Sequence, residues 1–372
     1  MHILIAPDKF KGSLSARKVA ENIALGLCDV LRDAKIAIVP MADGGEGTAE
    51  VICDALGGSW LKCKARDPVG REIDARYAWI EERKLAVMEM SEAAGMRRLT
   101  ESERDPLRTT TFGVGEMILD AATRGANEII IGLGGSATND GGFGMARALG
   151  FRFDYEHEQE YEHEHEQKVT RLLHLVKIAK PKELTLPKII AAVDVRNPLL
   201  GENGATRVFG PQKGAVDDKI DNLERALGKL ADVVSKEFGV DYRDKPGAGA
   251  AGGLGFGLMS FCGARIRPGF DVVAEAVRLE SKMKDVDLVI TGEGSLDRQT
   301  LEGKTPAGIA QLARKLSKQV FAIVGRASGD QEVRDLFDEV YENAQPGMSE
   351  KENMQRAAEL LQENARELAK TL

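Results

Sequence analysis

Cysteine is scarce in this chain of 372 residues. The four present, Cys28, Cys53, Cys63 and Cys262, lie far apart with no C-x-x-C spacing, which argues against a disulfide framework or a thiolate zinc site. Aromatic residues are only 5%, and basic residues are outnumbered, 51 Lys+Arg against 59 Asp+Glu, for a formal net charge of −8. Both deficits argue against a nucleic-acid surface built from basic grooves and stacking rings. No apolar run reaches the length of about 18 residues that a membrane span needs. The first residues, Met1 to Ala6, carry neither a basic leader nor a small-residue cleavage site, so the chain is expected to be cytoplasmic, with reduced thiols.

The sequence does hold 43% apolar and 30% charged residues, ordinary values for a globular protein, and its length suits two or three domains. The acidity is local. Residues 154–167 read DYEHEQEYEHEHEQ, and without the seven carboxylates of that run the net charge would be −1. Alternating His and Glu can trap metals, but no flanking ligands fix a geometry there, and a solvated, self-repelling insertion is the expected reading. The 40 glycines gather in particular loops, as they would where backbone approaches a ligand.

Hydrophobic patterning places strands and helices in alternation. Residues 2–6 form a continuous apolar run, expected for a buried parallel strand. A helix carrying Ala20, Ile23, Ala24, Leu27 and Leu31 on one stripe follows, then a strand over 35–42 and a helix over 48–56. The last third supplies strands at 287–290, 320–324 and 339–342, a helix at 307–316 and a long final helix from 349 to 368. Two N-terminal strands cannot make a stable sheet alone. The fold class expected is therefore α/β with two domains: a Rossmann-like, five-stranded parallel domain from residues 1–58 and 284–372, and a mixed α/β domain inserted at 59–283. Within the insertion, residues 59–65, 75–80, 85–90, 128–131 and 189–193 read as sheet, and 113–124 and 217–238 as helices. The active site is expected in the cleft between the two domains.

The loops after these strands carry the chemistry, because ligands of open α/β sheets bind beyond the strands' carboxyl ends. Residues 7–13, PDKFKGS, place Lys9 and Lys11 before a helix; Lys11, beside Gly12, is the stronger anion-binding candidate. Residues 43–48, DGGEGT, offer Asp43 and Glu46 for general-base work or for Mg²⁺. Residues 132–142, GLGGSATNDGG, form the strongest signal, a cradle of glycine N–H groups with Ser136, Thr138, Asn139 and Asp140 as further donors or acceptors. It does not match G-x-x-x-x-G-K-[ST], and at 298–305 Arg298 stands where that motif needs glycine, so neither is a P-loop. Asp194 closes a core strand ahead of Asn197, and Lys213 lies between Gln212 and Gly214. The nearly side-chain-free stretch 247–255 either lets a ligand lie on the backbone or lets helices pack closely. Residues 291–297 add Gly292 and Glu293, and Arg104 offers a fork for a carboxylate.

Read together, MHILIAPDKFKGSLSA, MADGGEGT, IGLGGSATNDGG, VDVRNPLLGENGATRVFGPQKGA, PGAGAAGGLG and VITGEGSLDRQTLEGKTP resemble bacterial glycerate kinases of the GarK/GlxK type, in the family's order from residue 1 to about 310. The chain departs from that pattern at Lys9 (commonly Ser), at Ser295 (commonly Arg) and at the acidic run (commonly glycine-rich). The resemblance implies phosphoryl transfer from ATP to glycerate with Mg²⁺, and favours 2-phosphoglycerate as product. On that basis Asp194, Asp43 and Lys11 are expected to be catalytic. Asp8, Arg104, Glu46 and Asn197 would hold glycerate. Gly134, Gly135, Ser136, Thr138, Asn139, Asp140, Lys213, Gly292 and Glu293 would hold the nucleotide phosphates, and Asp43 and Glu293 the Mg²⁺. Two rivals remain. An NAD-dependent dehydrogenase would need G-x-G-x-x-G after the first strand, where PDKFKGS stands; a two-domain organic-acid-binding protein of the periplasmic type would need a signal peptide. No feature sets the number of subunits.

Overall fold

The run His2–Ile5 becomes the inner strand of a five-stranded sheet in the computed structural model, which describes residues 1–156 and 169–372. Its neighbours are Lys35–Ile38 on one side and Leu288–Thr291 on the other, with Gln319–Val324 and Glu339–Glu342 beyond, every pair parallel. Ile3, Leu4, Ile5, Val289, Ile290, Ala322 and Ile323 are fully buried, as strands covered on both faces must be. Ser15 caps the helix Ala16–Val30 by accepting from Lys18 N. The stripe Val19, Ala20, Ile23, Leu27 packs with Leu361, Ala365 and Leu368 of the helix Ala357–Thr371. The expected strand over 35–42 ends at Ile38, ahead of Pro40, which has no N–H to give a ladder. The expected single final helix is two, Glu350–Gln355 and Ala357–Thr371, broken at Arg356, and only the second buries side chains.

The chain divides into two units, Met1–Gly57 with Pro268–Leu372, and Gly58–Arg267. The second crossing falls at Pro268 rather than at 284. Two short helices, Gly269–Ala276 and Leu279–Lys284, belong to the unit built from the chain ends and bury Val272, Val273, Leu279 and Met283.

The inserted unit has a six-stranded sheet in the order Arg265–Pro268, Lys188–Val193, Glu128–Gly132, Leu85–Glu89, Glu72–Ile80, Ser59–Arg66. Leu85–Glu89, Glu128–Gly132 and Lys188–Val193 pair in parallel, whereas the last three run antiparallel. The helix Phe112–Thr123 packs on the strand Ser59–Arg66, while the 22-residue helix Asp217–Phe238 packs on the segment Leu175–Ala179 and closes on Gly239 in the left-handed region (φ 69°). A hairpin of Arg152–Tyr155 and Leu175–Ala179 was not expected from sequence. Most of the acidic run lies outside the described residues. The stretch 247–255, expected as a loop, runs into the helix Ala250–Cys262, whose start contains a left-handed turn at Ala251, Gly252 and Gly253.

Candidate active site

In the unit built from the chain ends, three loops at strand ends bring acidic groups together. Asp8 follows the first strand, and its N–H reaches the carbonyl of Gly292 at 2.8 Å, which ties the loops at 7–13 and 291–297 together. The Asp8 carboxylate is 6% exposed. It accepts from Lys9 N at 2.6 Å and from the hydroxyl of Thr305, first residue of the helix Thr305–Lys315, at 2.7 Å. Burial raises its pKa to about 6, with repulsion from Asp43 adding to the rise and Lys9 and Thr305 opposing it. Asp43 accepts from Gly45 N at 3.1 Å and lies 4.0 Å from the Lys9 ammonium, which also donates to the Glu46 carbonyl at 2.5 Å. Glu293 accepts from Thr300 Oγ1 at 2.8 Å. Burial is the main reason its pKa is pushed to about 7; Thr300 and Lys304 pull it down, and Asp8 and Asp297 push it further up.

Several sequence expectations change here. Lys9, not Lys11, stands among the carboxylates, while Lys11 is exposed at the loop tip. The Glu46 side chain is exposed, and its carbonyl is what binds Lys9. Gly292 packs closely on the neighbouring strand, since a Cβ there would lie 2.1 Å from the Ile323 carbonyl, and its own carbonyl accepts from Asp8 N. Thr300 and Thr305, which hold the two raised carboxylates, were not singled out. Their sequence signal is weak: two hydroxyls spaced around the Gly303–Lys304 pair.

The glycine cradle lies in the inserted unit and faces two ways. Gly135 is exposed with φ +70°, and Gly134 is half-buried, but residues 136–142 are buried. Asp140 turns inward. Its carboxylate accepts from Thr111 N at 2.9 Å, Gly142 N at 3.1 Å, Gly144 N at 3.0 Å and the Thr111 hydroxyl at 2.9 Å. Burial raises its pKa, and these hydrogen bonds oppose the rise. Asn139 donates to Thr206 Oγ1 at 2.9 Å, leaving its own Oδ1 and the Thr138 hydroxyl buried without partners. Asp140 and Asn139, expected on phosphate, thus staple the loop to the protein, because bare backbone turns need buried acceptors to hold them. Lys213 also points inward: 2% exposed, its ammonium donates to the Thr138 carbonyl at 2.8 Å. Burial lowers its pKa to about 7, with Asp140 opposing. The glycines of 247–255 pack backbone on backbone, the second of the two readings left open: Gly141 N donates to Gly252 O at 3.0 Å, and a Cβ on Gly252 would lie 2.0 Å from the Thr138 carbonyl.

The remaining candidates sit nearby or at the surface. Asp194 is half-buried just beyond the strand Lys188–Val193. Asn197 holds its own loop: its side-chain NH2 donates to Asn203 O at 2.7 Å, and its backbone carbonyl accepts from Gly249 N at 2.9 Å. Arg104 is exposed beside the Gly214 turn. Among the described residues no three His, Cys, Asp or Glu side chains converge as a metal cage. A Mg²⁺ ion usually takes one or two carboxylates and completes its shell with water and substrate phosphate. The hard oxygen donors of Asp43 and Glu293 fit that pattern.

Parallel strands ending in acid groups whose burial opposes ionisation at Asp8 and Glu293, with a separate glycine cradle on a second sheet, define an α/β enzyme that handles a charged substrate. The comparisons with known proteins supply the family. The sequence model of the Glycerate kinase family matches residues 3–372, and the chain belongs to that family. It is 40% identical over 369 residues to the Glycerate kinase of Halalkalibacterium halodurans, covering 99% of this chain and 97% of that protein. It is 43% identical over 331 residues to the Glycerate 2-kinase of Escherichia coli K12, covering 89% and 86%. Its fold matches the crystal structure of a protein from Salmonella typhimurium LT2, assigned there as glycerate kinase 2, with a TM-score of 0.85, 39% identity and coverage of 100% and 98%. The chain is accordingly a phosphotransferase of the glycerate kinase type. Neither the dehydrogenase nor the binding-protein alternative finds support in these relatives. No helix among the described residues is long and apolar enough to cross a membrane.

Proposed function

We propose that the protein transfers the γ-phosphoryl group of ATP to a hydroxyl of glycerate, with 2-phosphoglycerate favoured over 3-phosphoglycerate. The family match across residues 3–372 carries the reading, and the name of the 43%-identical Glycerate 2-kinase supports the position. The oxygen–phosphorus bond to the acceptor forms as the bridging bond to ADP breaks, and the acceptor's proton passes to a carboxylate. Asp8 suits that role: a pKa of about 6 leaves it ionised at neutral pH yet close enough to accept a proton. Asp194 and Asp43 are the alternatives that the sequence put forward. Asp43, fixed by Gly45 N and near Lys9, would hold Mg²⁺ together with substrate phosphate, with Glu293 as the other candidate ligand. When bound, the ion neutralises charge on the transferring group. Lys9 adds positive charge beside Asp43, and the exposed Gly134 and Gly135 offer backbone N–H groups to anionic oxygens.

ADP release in a coupled assay, with and without glycerate, tests the reaction, and phosphorus NMR of the product reads the carbon. Glycerate-dependent release giving 2-phosphoglycerate is expected; equal release without glycerate overturns the proposal. Asp8→Asn and Asp194→Asn, compared in the same assay, assign the base. Its removal should lower kcat by roughly 10²–10⁴, and near-normal turnover of Asp8→Asn would take Asp8 out of the role.

A further inference from the structure

Residues 349–356, SEKENMQR, hold one apolar side chain, Met354, among seven polar or charged ones. So short a helix, without an apolar stripe, has little of its own to keep it in place. It forms all the same: Ser349 caps it by accepting from Glu352 N at 3.2 Å, and Glu350–Gln355 is helical. Unlike the helix Ala357–Thr371 that follows, it buries no side chain, and Met354 stays 39% exposed. Its ends suit pivoting. Gly347 sits at φ +83° on one side, and Arg356 interrupts the helices on the other.

Side-chain hydrogen bonds dock this segment at two places, and both belong to the surroundings of the acid groups. The Ser13 hydroxyl donates to the Met354 carbonyl at 2.9 Å, and Asn353 Nδ2 donates to the Gly325 carbonyl at 3.2 Å. Ser13 stands in the loop that carries Asp8, where its own N–H and that of Leu14 both reach the Phe10 carbonyl at 2.9 Å. Gly12 beside it is bare where Met354 lies: a Cβ there would be 2.8 Å from Met354 Cε. Gly325 packs on the loop of Glu293. Its N–H donates to the Glu293 carbonyl at 3.0 Å, and a Cβ on it would lie 2.3 Å from the Gly294 carbonyl. Beside these contacts a cavity of about 710 Å³ stays open, lined by Gly12, Ser13, Glu350, Lys351, Met354 and Gln355. Anchoring through hydrogen bonds without buried apolar area places a segment at the low-stability end of a fold.

We propose that residues 347–356 form a strap that opens and redocks as one piece, and that the docked strap clamps the loops of Asp8 and Glu293 together. The strap is the one segment that touches both Ser13 and Gly325 through side-chain donors or acceptors of its own backbone, so opening it frees both loops at once. Acid groups that must meet a substrate at fixed positions gain from that restraint. Strap docking and loop order are then one linked equilibrium, and whatever loosens one side loosens the other. The clamp stands apart from the kinase reading; only its effect on turnover rests on that reading.

Hydrogen exchange of the full chain without ligand, read by mass spectrometry on peptides spanning 8–14, 324–328, 349–356 and 357–371, tests the strap. In the wild type, residues 349–356 should exchange about a hundred times faster than the core-facing amides of the following helix. Ser13→Ala and Asn353→Ala each remove one docking bond and should speed exchange at 349–356 about five-fold, while 357–371 stays as slow as before. The crossed effects decide. Ser13→Ala should also speed the peptide at 324–328, and Asn353→Ala the one at 8–14, although neither variant touches that loop. Equal protection of the two helices, or loosening confined to the loop that each variant touches, overturns the proposal. Where both loops loosen, kcat/KM for glycerate phosphorylation should fall about three- to ten-fold. Loosened loops with kcat/KM unchanged would count against Asp8 and Glu293 as site residues and leave the strap standing.

Discussion

Replacing Lys213 by Met should make the inserted unit more stable at neutral pH while damaging catalysis. The Lys213 ammonium lies 2% exposed against one carbonyl, and its pKa falls from an ordinary 10.5 to about 7. Between those values the unfolded chain binds more protons than the fold, so stability rises with pH across this window and the charged lysine is a liability below it. Each pH unit is worth about 1.4 kcal/mol, so at pH 7 the burial costs about 4 kcal/mol. Methionine removes that cost but strips the Thr138 carbonyl of its donor, about 1–3 kcal/mol. The variant should therefore gain about 1–3 kcal/mol at pH 7 and lose the advantage by pH 10. Urea denaturation at several pH values, followed by tryptophan fluorescence, makes the comparison clean. Both tryptophans, Trp60 and Trp79, belong to the inserted unit. Other titrating groups cancel in the difference between the two proteins. Parallel stability curves from pH 7 to 10 would refute the reasoning, since the lysine would then carry no burial penalty. Loss of turnover in a more stable variant is what a lysine that holds the Thr138 carbonyl, and with it the cradle, should give.

The pH–rate profile should show an acid limb in kcat/KM near pH 6, where Asp8 loses its proton, rising as pH rises through that value. In the residual activity of Asp43→Asn the limb should move to lower pH, because a repelling charge is gone; an unmoved limb would detach it from Asp8. Gly252→Ala should destabilise the inserted unit by about 2–4 kcal/mol, combining a left-handed φ of +67° with a Cβ 2.0 Å from the Thr138 carbonyl. Gly239→Ala, at φ +69° with nothing within 4 Å, should cost only about 1 kcal/mol in the same denaturation experiment.

What was legible in the residues follows from range. The strand at His2–Ile5 and the helix Asp217–Phe238 are visible because their periodicity is local. The ranking of polar residues within a loop is not. Asp140 and Asn139 look like ligands by type, but a loop of bare backbone also needs buried acceptors and donors to hold its turns, and these two do that work. Lys11 looked better placed than Lys9 because it abuts a glycine, yet the turn carries Lys9 toward Asp43. The bridge between Gly95 and Ser136 was missed because it is a pairing across sequence that no local pattern announces. The boundary at Pro268 was misplaced for a similar reason: two amphipathic helices of 8 and 6 residues could serve either unit until packing assigns them.

The pairing of His2–Ile5 with Leu288–Thr291 has a consequence for biosynthesis. During translation the first strand leaves the ribosome long before its neighbour is made, whereas all of Gly58–Arg267 has by then been synthesised. The inserted unit can acquire its native shape first, holding the two flanks as tethered, half-built ends. The N-terminal flank, with its apolar strand uncovered on one edge, must wait for distant partners. That interval is when this polypeptide is most exposed to aggregation and most in need of a chaperone.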